Sequence, residues 1–182
     1  MLGYVIRKIL AQFLLLASLA LTVFLGLVIG IGTTPDAAAA IRQIEEAPGQ
    51  MVYQSRQTLK DQHGNSWQAI AFKRVSLNDK TSFELRLVGF PGVVEIDRSK
   101  PLLLTNSMGE VLTADDNSSL IFTDLSAPES NVGEYDLQPL LAQLQPEVPL
   151  SLTLPTIDSE DIQLSVPPSF VQEWQTLSAS RE

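Results

Sequence analysis

The stretch QMVYQSRQTLKDQHGNSWQAIAFKRVSLNDKTSFELRLV, residues 50–88, decides the fold. In residues 50–59 the side chains of Met51, Tyr53, Ser55, Gln57 and Leu59 share one face of an extended chain, and those of Val52, Gln54, Arg56 and Thr58 share the other, because the side-chain period of a strand is two. Asp61, His63, Gly64, Asn65 and Ser66 then supply the residue types that tight turns and positive φ angles favour. A return strand over residues 67–75 brings Trp67 and Phe72, and residues 77–81 turn the chain again into a third strand, where Phe83, Leu85 and Leu87 alternate with Glu84 and Arg86. One dry and one wet face is the mark of an antiparallel sheet, so the three strands are expected to form a meander.

Downstream the pattern shortens. Gly89, Phe90, Pro91 and Gly92 make a bend, since proline cannot donate to a ladder. Short strands are expected over residues 93–96, 102–105, 110–113 and 120–123. Leu137, Leu140, Leu141 and Leu144 recur at helical spacing behind Asp136, a good capping residue, and predict a short helix over residues 137–144 that Pro146 and Pro149 end. Residues 150–154 and 161–166 alternate as two further strands, and Pro167 and Pro168 open a terminal helix with Phe170, Val171, Trp174 and Leu177 on one side. The expected fold is α+β, an antiparallel sheet of about seven to nine strands with helices gathered toward the C-terminus.

Upstream, residues 9–32 contain no charge and lie directly behind the cations Arg7 and Lys8. Cations ahead of an apolar run hold the N-terminus in the cytoplasm and send the downstream chain across the membrane. Twenty-four residues suffice to span a bilayer as an anchor. Yet Pro35 and the run Ala37, Ala38, Ala39 and Ala40 offer the small residues at which a signal peptide is cut. Residues 1–40 are therefore read as a signal peptide or an N-terminal membrane anchor, and residues 41–182 as one exported domain in the periplasm or thylakoid lumen.

Composition excludes several chemistries. The chain of 182 residues has no cysteine and one histidine, which removes disulfides, thiolate nucleophiles, iron–sulfur clusters and multi-histidine metal sites. Residues 41–100 carry nine Lys or Arg against seven Asp or Glu, whereas residues 101–182 carry Arg181 against thirteen acids. The exported part is thus strongly acidic, the wrong sign for nucleic acid. His63 sits in turn material with no nucleophile elbow in the chain, and the acidic clusters Asp115 with Asp116 and Asp158 with Glu160 and Asp161 lack the glycine and spacing of a calcium loop. No catalytic residue, metal ligand or cofactor is assigned.

The candidate binding residues are Arg56, Arg74 and Arg86, which alternation allows on one sheet face where they would meet an anionic group or an acidic partner, and Trp174, against the plainer readings of solvated arginines and a core aromatic.

The segments VYQSRQTLKDQHGNSWQAIAFKR (residues 52–74), FELRLVGFPGVVEIDRSKPLLL (83–104), NVGEYDLQPLL (131–141) and VPPSFVQEW (166–174) resemble a family of small exported cyanobacterial proteins, a domain of unknown function. The resemblance implies a periplasmic or thylakoid-lumenal location and brings no catalytic residue. The expected function is a non-enzymatic accessory protein that binds a protein partner on the exoplasmic side of a membrane, with a photosynthetic complex as one candidate and residues 9–32 as a tether. The alternatives are a small-molecule or ion carrier with a pocket near Trp174 and Phe170, and a carboxylate-based hydrolase.

Overall fold

The computed structural model describes residues 41–47, 50–76, 80–121, 129–157 and 160–180, within the compact unit Ala39–Glu182. The expected leader lies outside the described residues, as do residues 122 and 123 of the expected strand over residues 120–123 and Asp158 of the connector before the last strand. No described helix is long and apolar enough to cross a membrane.

The meander forms where alternation places it. Strands β2 (Gln50–Lys60), β3 (Ser66–Val75) and β4 (Thr81–Val88) pair in antiparallel register, with Leu59 opposite Trp67, Ala71 opposite Leu85 and Arg56 opposite Ile70. Gly64 takes its turn with φ +84°, a conformation that a Cβ disfavours. The structure adds β1 (Arg42–Ala47) beside β2 at one edge and β7 (Val132–Asp136) beside β4 at the other, two strands the sequence pattern does not announce. Strands β5 (Leu102–Asn106), β6 (Val111–Ala114), β8 (Leu150–Leu154) and β9 (Ile162–Val166) form a second antiparallel sheet in the order β6-β5-β8-β9. The fold is α+β and mainly β, with the strands divided between a five-stranded and a four-stranded sheet rather than joined in one.

Two isolated bridges link the sheets. An antiparallel bridge between Asp116 and Tyr135 joins the end of β6 to β7, and one between Asp61 and Leu164 joins the end of β2 to β9. Around the core, β2 through β9 therefore run as a flattened barrel held by few hydrogen bonds at its two seams, and β1 stands outside the ring. Leu85, Leu87 and Phe83 from the first sheet meet Leu102, Leu104, Leu152 and Leu164 from the second in one buried cluster.

Two expectations are corrected. Residues 137–144 form successive turns instead of a helix: Leu140 and Leu141 N–H both donate to the Leu137 carbonyl, and Gln143 and Leu144 N–H to that of Leu140. Leu137, Leu140 and Leu144 are buried as their spacing requires. The bonds do not propagate because Pro139 has no N–H and Pro146 closes the segment. Residues 93–96 form no strand beyond a single bridge from Ile96 to Thr156, and residues 118–120 form a short 3-10 turn.

The terminal helix α1 (Pro168–Ala179) begins, as expected, with proline in its first turn and buries Val171, Trp174 and Leu177. Three polar anchors fix it to the inner face of the meander. Ser55 Oγ donates to Glu173 Oε1 at 2.5 Å, Gln57 Nε2 donates to Glu173 Oε2 at 2.8 Å, and Trp174 Nε1 donates to Gln57 Oε1 at 3.2 Å. At the far end Lys73 Nζ donates to the carbonyls of Ser178 and Ser180 at 2.7 and 2.8 Å, placing a cation where the helix dipole is negative. The polar residues that interrupt the inner faces of β2 and β3 are thus the helix's docking points.

At the other end of the barrel, Asp61 organises the hairpin tip. It accepts hydrogen bonds from the backbone N–H groups of His63 and Asn65, from Asn65 Nδ2 and from Trp67 Nε1. Burial works to raise its pKa, but the bonds from Asn65, Trp67 and His63 prevail and hold it below the ordinary carboxylate value. With its N–H fixed, the Trp67 ring lies over Gly89, where an added Cβ would fall 2.7 Å from it. Gly89→Ala is accordingly expected to cost about 1–3 kcal/mol through overpacking, read as a lower urea midpoint at unchanged slope.

Candidate interaction surface

The outer face of the five-stranded sheet, turned away from the core, is built by the same alternation. Register places Arg42, Ile44 and Glu46 of β1, Val52, Gln54 and Arg56 of β2, Ile70, Phe72 and Arg74 of β3, Glu84 and Arg86 of β4, and Glu134 of β7 on this one side. Arg56, Arg74 and Arg86 are therefore neighbours on one face. Trp174 is not with them. It lies on the opposite side of the sheet, 0% exposed, with its N–H satisfied by Gln57, and it is a core residue.

The three arginines are not equivalent. Arg86 Nε donates to Glu134 Oε2 at 2.8 Å, and its Nη2 lies 2.6 Å from the same oxygen. Arg74 Nε lies 3.3 Å from Glu46, while its Nη1 sits 3.6 Å from Glu84 Oε2 and 3.7 Å from Glu134 Oε1. Both guanidinium groups also cover the Phe72 ring, at 4.4 and 5.2 Å from its centroid, a favourable cation–π placement. Arg56 is exposed and has no ion-pair partner among the described residues.

Beneath the arginines two carboxylates are withdrawn from water. Glu134 is 0% and Glu84 3% exposed, and Glu84 Oε2 and Glu134 Oε1 accept no hydrogen bond. Burial raises the Glu84 pKa above its ordinary value of 4.5, against the lowering influence of Ser82 and Arg74. An acid whose folded pKa is raised costs the folded state stability when ionised. That cost is present in full above the folded pKa, is relieved as pH falls through the folded pKa toward 4.5, and is gone below it. Glu84→Gln should therefore raise the thermal midpoint at pH 7, with the gain shrinking as the pH approaches 4.5; a gain that grew on acidification would contradict the assignment.

Sequence reasoning missed Phe72, Glu46, Glu84 and Glu134 as members of this surface. A signal was available in the apolar residues Val52, Ile70 and Phe72, which stand on the wet side of their strands and form a small cluster of their own with Val88. In the two acidic clusters of the C-terminal half, Asp158 lies outside the described residues, and Asp116 and Asp161 are occupied locally. Asp116 accepts from Ser118 Oγ and N–H, and Asp161 accepts from Thr156 N–H. His63 is exposed at the hairpin tip, 4.0 Å from Glu160. Among the described residues no three His, Cys, Asp or Glu side chains gather as a metal site.

Space for a small ligand is limited beside the terminal helix. A cavity of about 10 Å³, lined by Leu104, Leu112, Leu144, Val148, Leu150 and Val171 among others, holds no more than one water. Trp174 and Leu177 fill the space between helix and sheet.

Fold and surface together define a small, mainly β domain of two antiparallel sheets sealed by a C-terminal helix, with an ordered charged face on the larger sheet. The chain belongs to the family described as "Protein of unknown function (DUF3122)", which matches residues 39–177. Neither the curated proteins nor the solved structures contain a match to it.

Proposed function

We propose that the chain is an exported, non-enzymatic accessory protein that binds a protein partner through the outer face of its five-stranded sheet, on the exoplasmic side of a membrane, in the periplasm or thylakoid lumen. Export rests on the uncharged run over residues 9–32 behind Arg7 and Lys8, and the cyanobacterial resemblance favours the same compartments. The observation that carries the interaction reading is the outer face itself. Arg74 and Arg86 are held by Glu46, Glu84, Glu134 and Phe72, so their side-chain entropy is already spent before a partner arrives. Beside them Arg56, directly cross-strand from Ile70, is exposed for pairing with a partner's carboxylate. Arginine ordered in this way is among the residue types that dominate protein interfaces.

The test is a photoreactive residue introduced in the native cell at position 56 and, separately, at Gln172, an exposed position on α1. A discrete adduct from position 56 in the membrane, periplasmic or lumenal fraction, with none from position 172, is expected. No adduct from position 56, or the same pattern from both positions, would refute the assignment of the surface.

A further inference from the structure

Strand β1 is an open edge. It pairs with β2 from Arg42 opposite Gln54 to Ala47 opposite Gln50, and among the described residues no strand pairs on its other side. The bridges of Asp61 and Asp116 join the other sheet edges, β9 to the end of β2 and β7 to the end of β6. Residues 41–46 are all exposed and none belongs to the core. A row of backbone donors and acceptors left unpaired in this way is a template for another strand.

We propose that this edge pairs with β1 of a second copy of the chain, antiparallel and about a two-fold axis through Ile44. Three observations choose that occupant. First, the charges are complementary in this arrangement. Antiparallel pairing centred on Ile44 sets Arg42 against Glu46 of the other copy, twice by symmetry, whereas a slip of two residues, the smallest that keeps both outer faces on one side of the joined sheet, brings like charges or uncharged residues opposite. Arg42 is exposed and has no ion-pair partner among the described residues, and Glu46, half-exposed, meets Arg74 and Gln50 through the same oxygen, Oε2. Second, Ile44 is 44% exposed and stands directly cross-strand from Val52. Val52 belongs to the outer apolar cluster with Ile70 and Phe72. Ile44 meeting Ile44 across the axis would carry that cluster from one copy into the other and cover the exposed large hydrophobic side chain at the centre of the edge. Third, symmetry needs no further surface, since an isologous contact uses the same patch twice. The irregularity between Glu45 and Ala47 limits the ladder to the segment around Ile44. The same charges that discourage a foreign strand select this one. The outer faces of two copies then form one continuous sheet surface, doubling the arginine face. The proposal stands apart from that face's proposed partner and from export.

So short a ladder buries less than a stable dimer requires, so the suitable readout is a covalent trap rather than a sizing column. The chain has no cysteine, and a single Ile44→Cys in the full chain places both thiols at the axis. Paired antiparallel residues lie about 4.5–5.5 Å apart between Cα atoms, within the roughly 4.4–6.8 Å that a disulfide spans. Mild oxidation is expected to convert most of the Ile44→Cys chain to a disulfide dimer. The neighbouring Gln43→Cys, two residues off register from its own copy, and Thr176→Cys on α1 should remain largely monomeric. Adding Arg42→Glu to Ile44→Cys should reduce the dimer several-fold, and Arg42→Lys should preserve it. Absence of the Ile44→Cys dimer, an equal yield from Gln43→Cys or Thr176→Cys, or insensitivity to Arg42→Glu would overturn the proposal, and none of these outcomes depends on whether the outer face binds another protein.

Discussion

Trp174→Ala is expected to destabilise the domain by about 3–5 kcal/mol, more than any other single substitution proposed. Trp174 is fully buried between α1 and the meander. Its removal empties a large volume that the neighbouring strands cannot collapse into, because they are held in register on both sides. The substitution also orphans Gln57 Oε1, which accepts the indole N–H, while Gln57 Nε2 remains tied to Glu173. Trp174→Phe restores most of the volume but not the donor, and should cost about 1–3 kcal/mol. Because the chain holds only Trp67 and Trp174, the fluorescence of the Trp174→Phe variant reports Trp67 alone. Its emission should stay that of a buried indole if only the helix is loosened.

Glu134→Ala should rank second. Breaking a buried ion pair by removing one partner costs about 3–5 kcal/mol, and here the loss falls to about 2–4 kcal/mol because the side chains of Arg86 and Arg74 remain 27% and 22% exposed and can be partly rehydrated. The loss would be shared with Arg86. A double-mutant cycle of Glu134→Ala with Arg86→Met should show the double variant less destabilised than the sum of the single ones, since the second removal takes away the orphaned charge. Strict additivity would mean that the two side chains do not interact energetically, and that the outer face is not a preorganised lattice of charges.

Much of the fold can be read in the chain wherever local pattern and tertiary demand agree. Strands β2, β3 and β4 are long and alternate cleanly, and β8 and β9 do so over shorter runs, so their faces follow from the period of two. Strand β1, with the sequence RQIEEA, has no inward apolar set, and its extended form comes from pairing with β2. Strand β7, VGEYD, is disguised by Gly133, which is small because the Tyr135 hydroxyl lies 2.8 Å from where a Cβ would stand. In residues 137–144 the leucine spacing finds the buried Leu137, Leu140 and Leu144 and the partly buried Leu141, but the helix fails because hydrogen-bond continuity, not apolar spacing, is what proline interrupts.

The surface is half legible for the same reason. That Arg56, Arg74 and Arg86 share a face needs only alternation and hairpin register. That Arg74 and Arg86 are clamped by Glu84 and Glu134 needs the pairing of β4 with β7, in which Arg86 stands opposite Glu134, and no local pattern encodes a contact so distant in sequence. For Trp174, the choice between ligand contact and core turns on the partner of its N–H, which lies on β2.

The central claim, that the folded body works beyond the cytosol, is tested most directly by the intact mass of the native chain recovered from each cell fraction. The expected result is a polypeptide in the periplasmic, lumenal or membrane fraction, either beginning near Ile41 or retaining residues 1–40 as a tether. A full-length chain found soluble in the cytosolic fraction would contradict it.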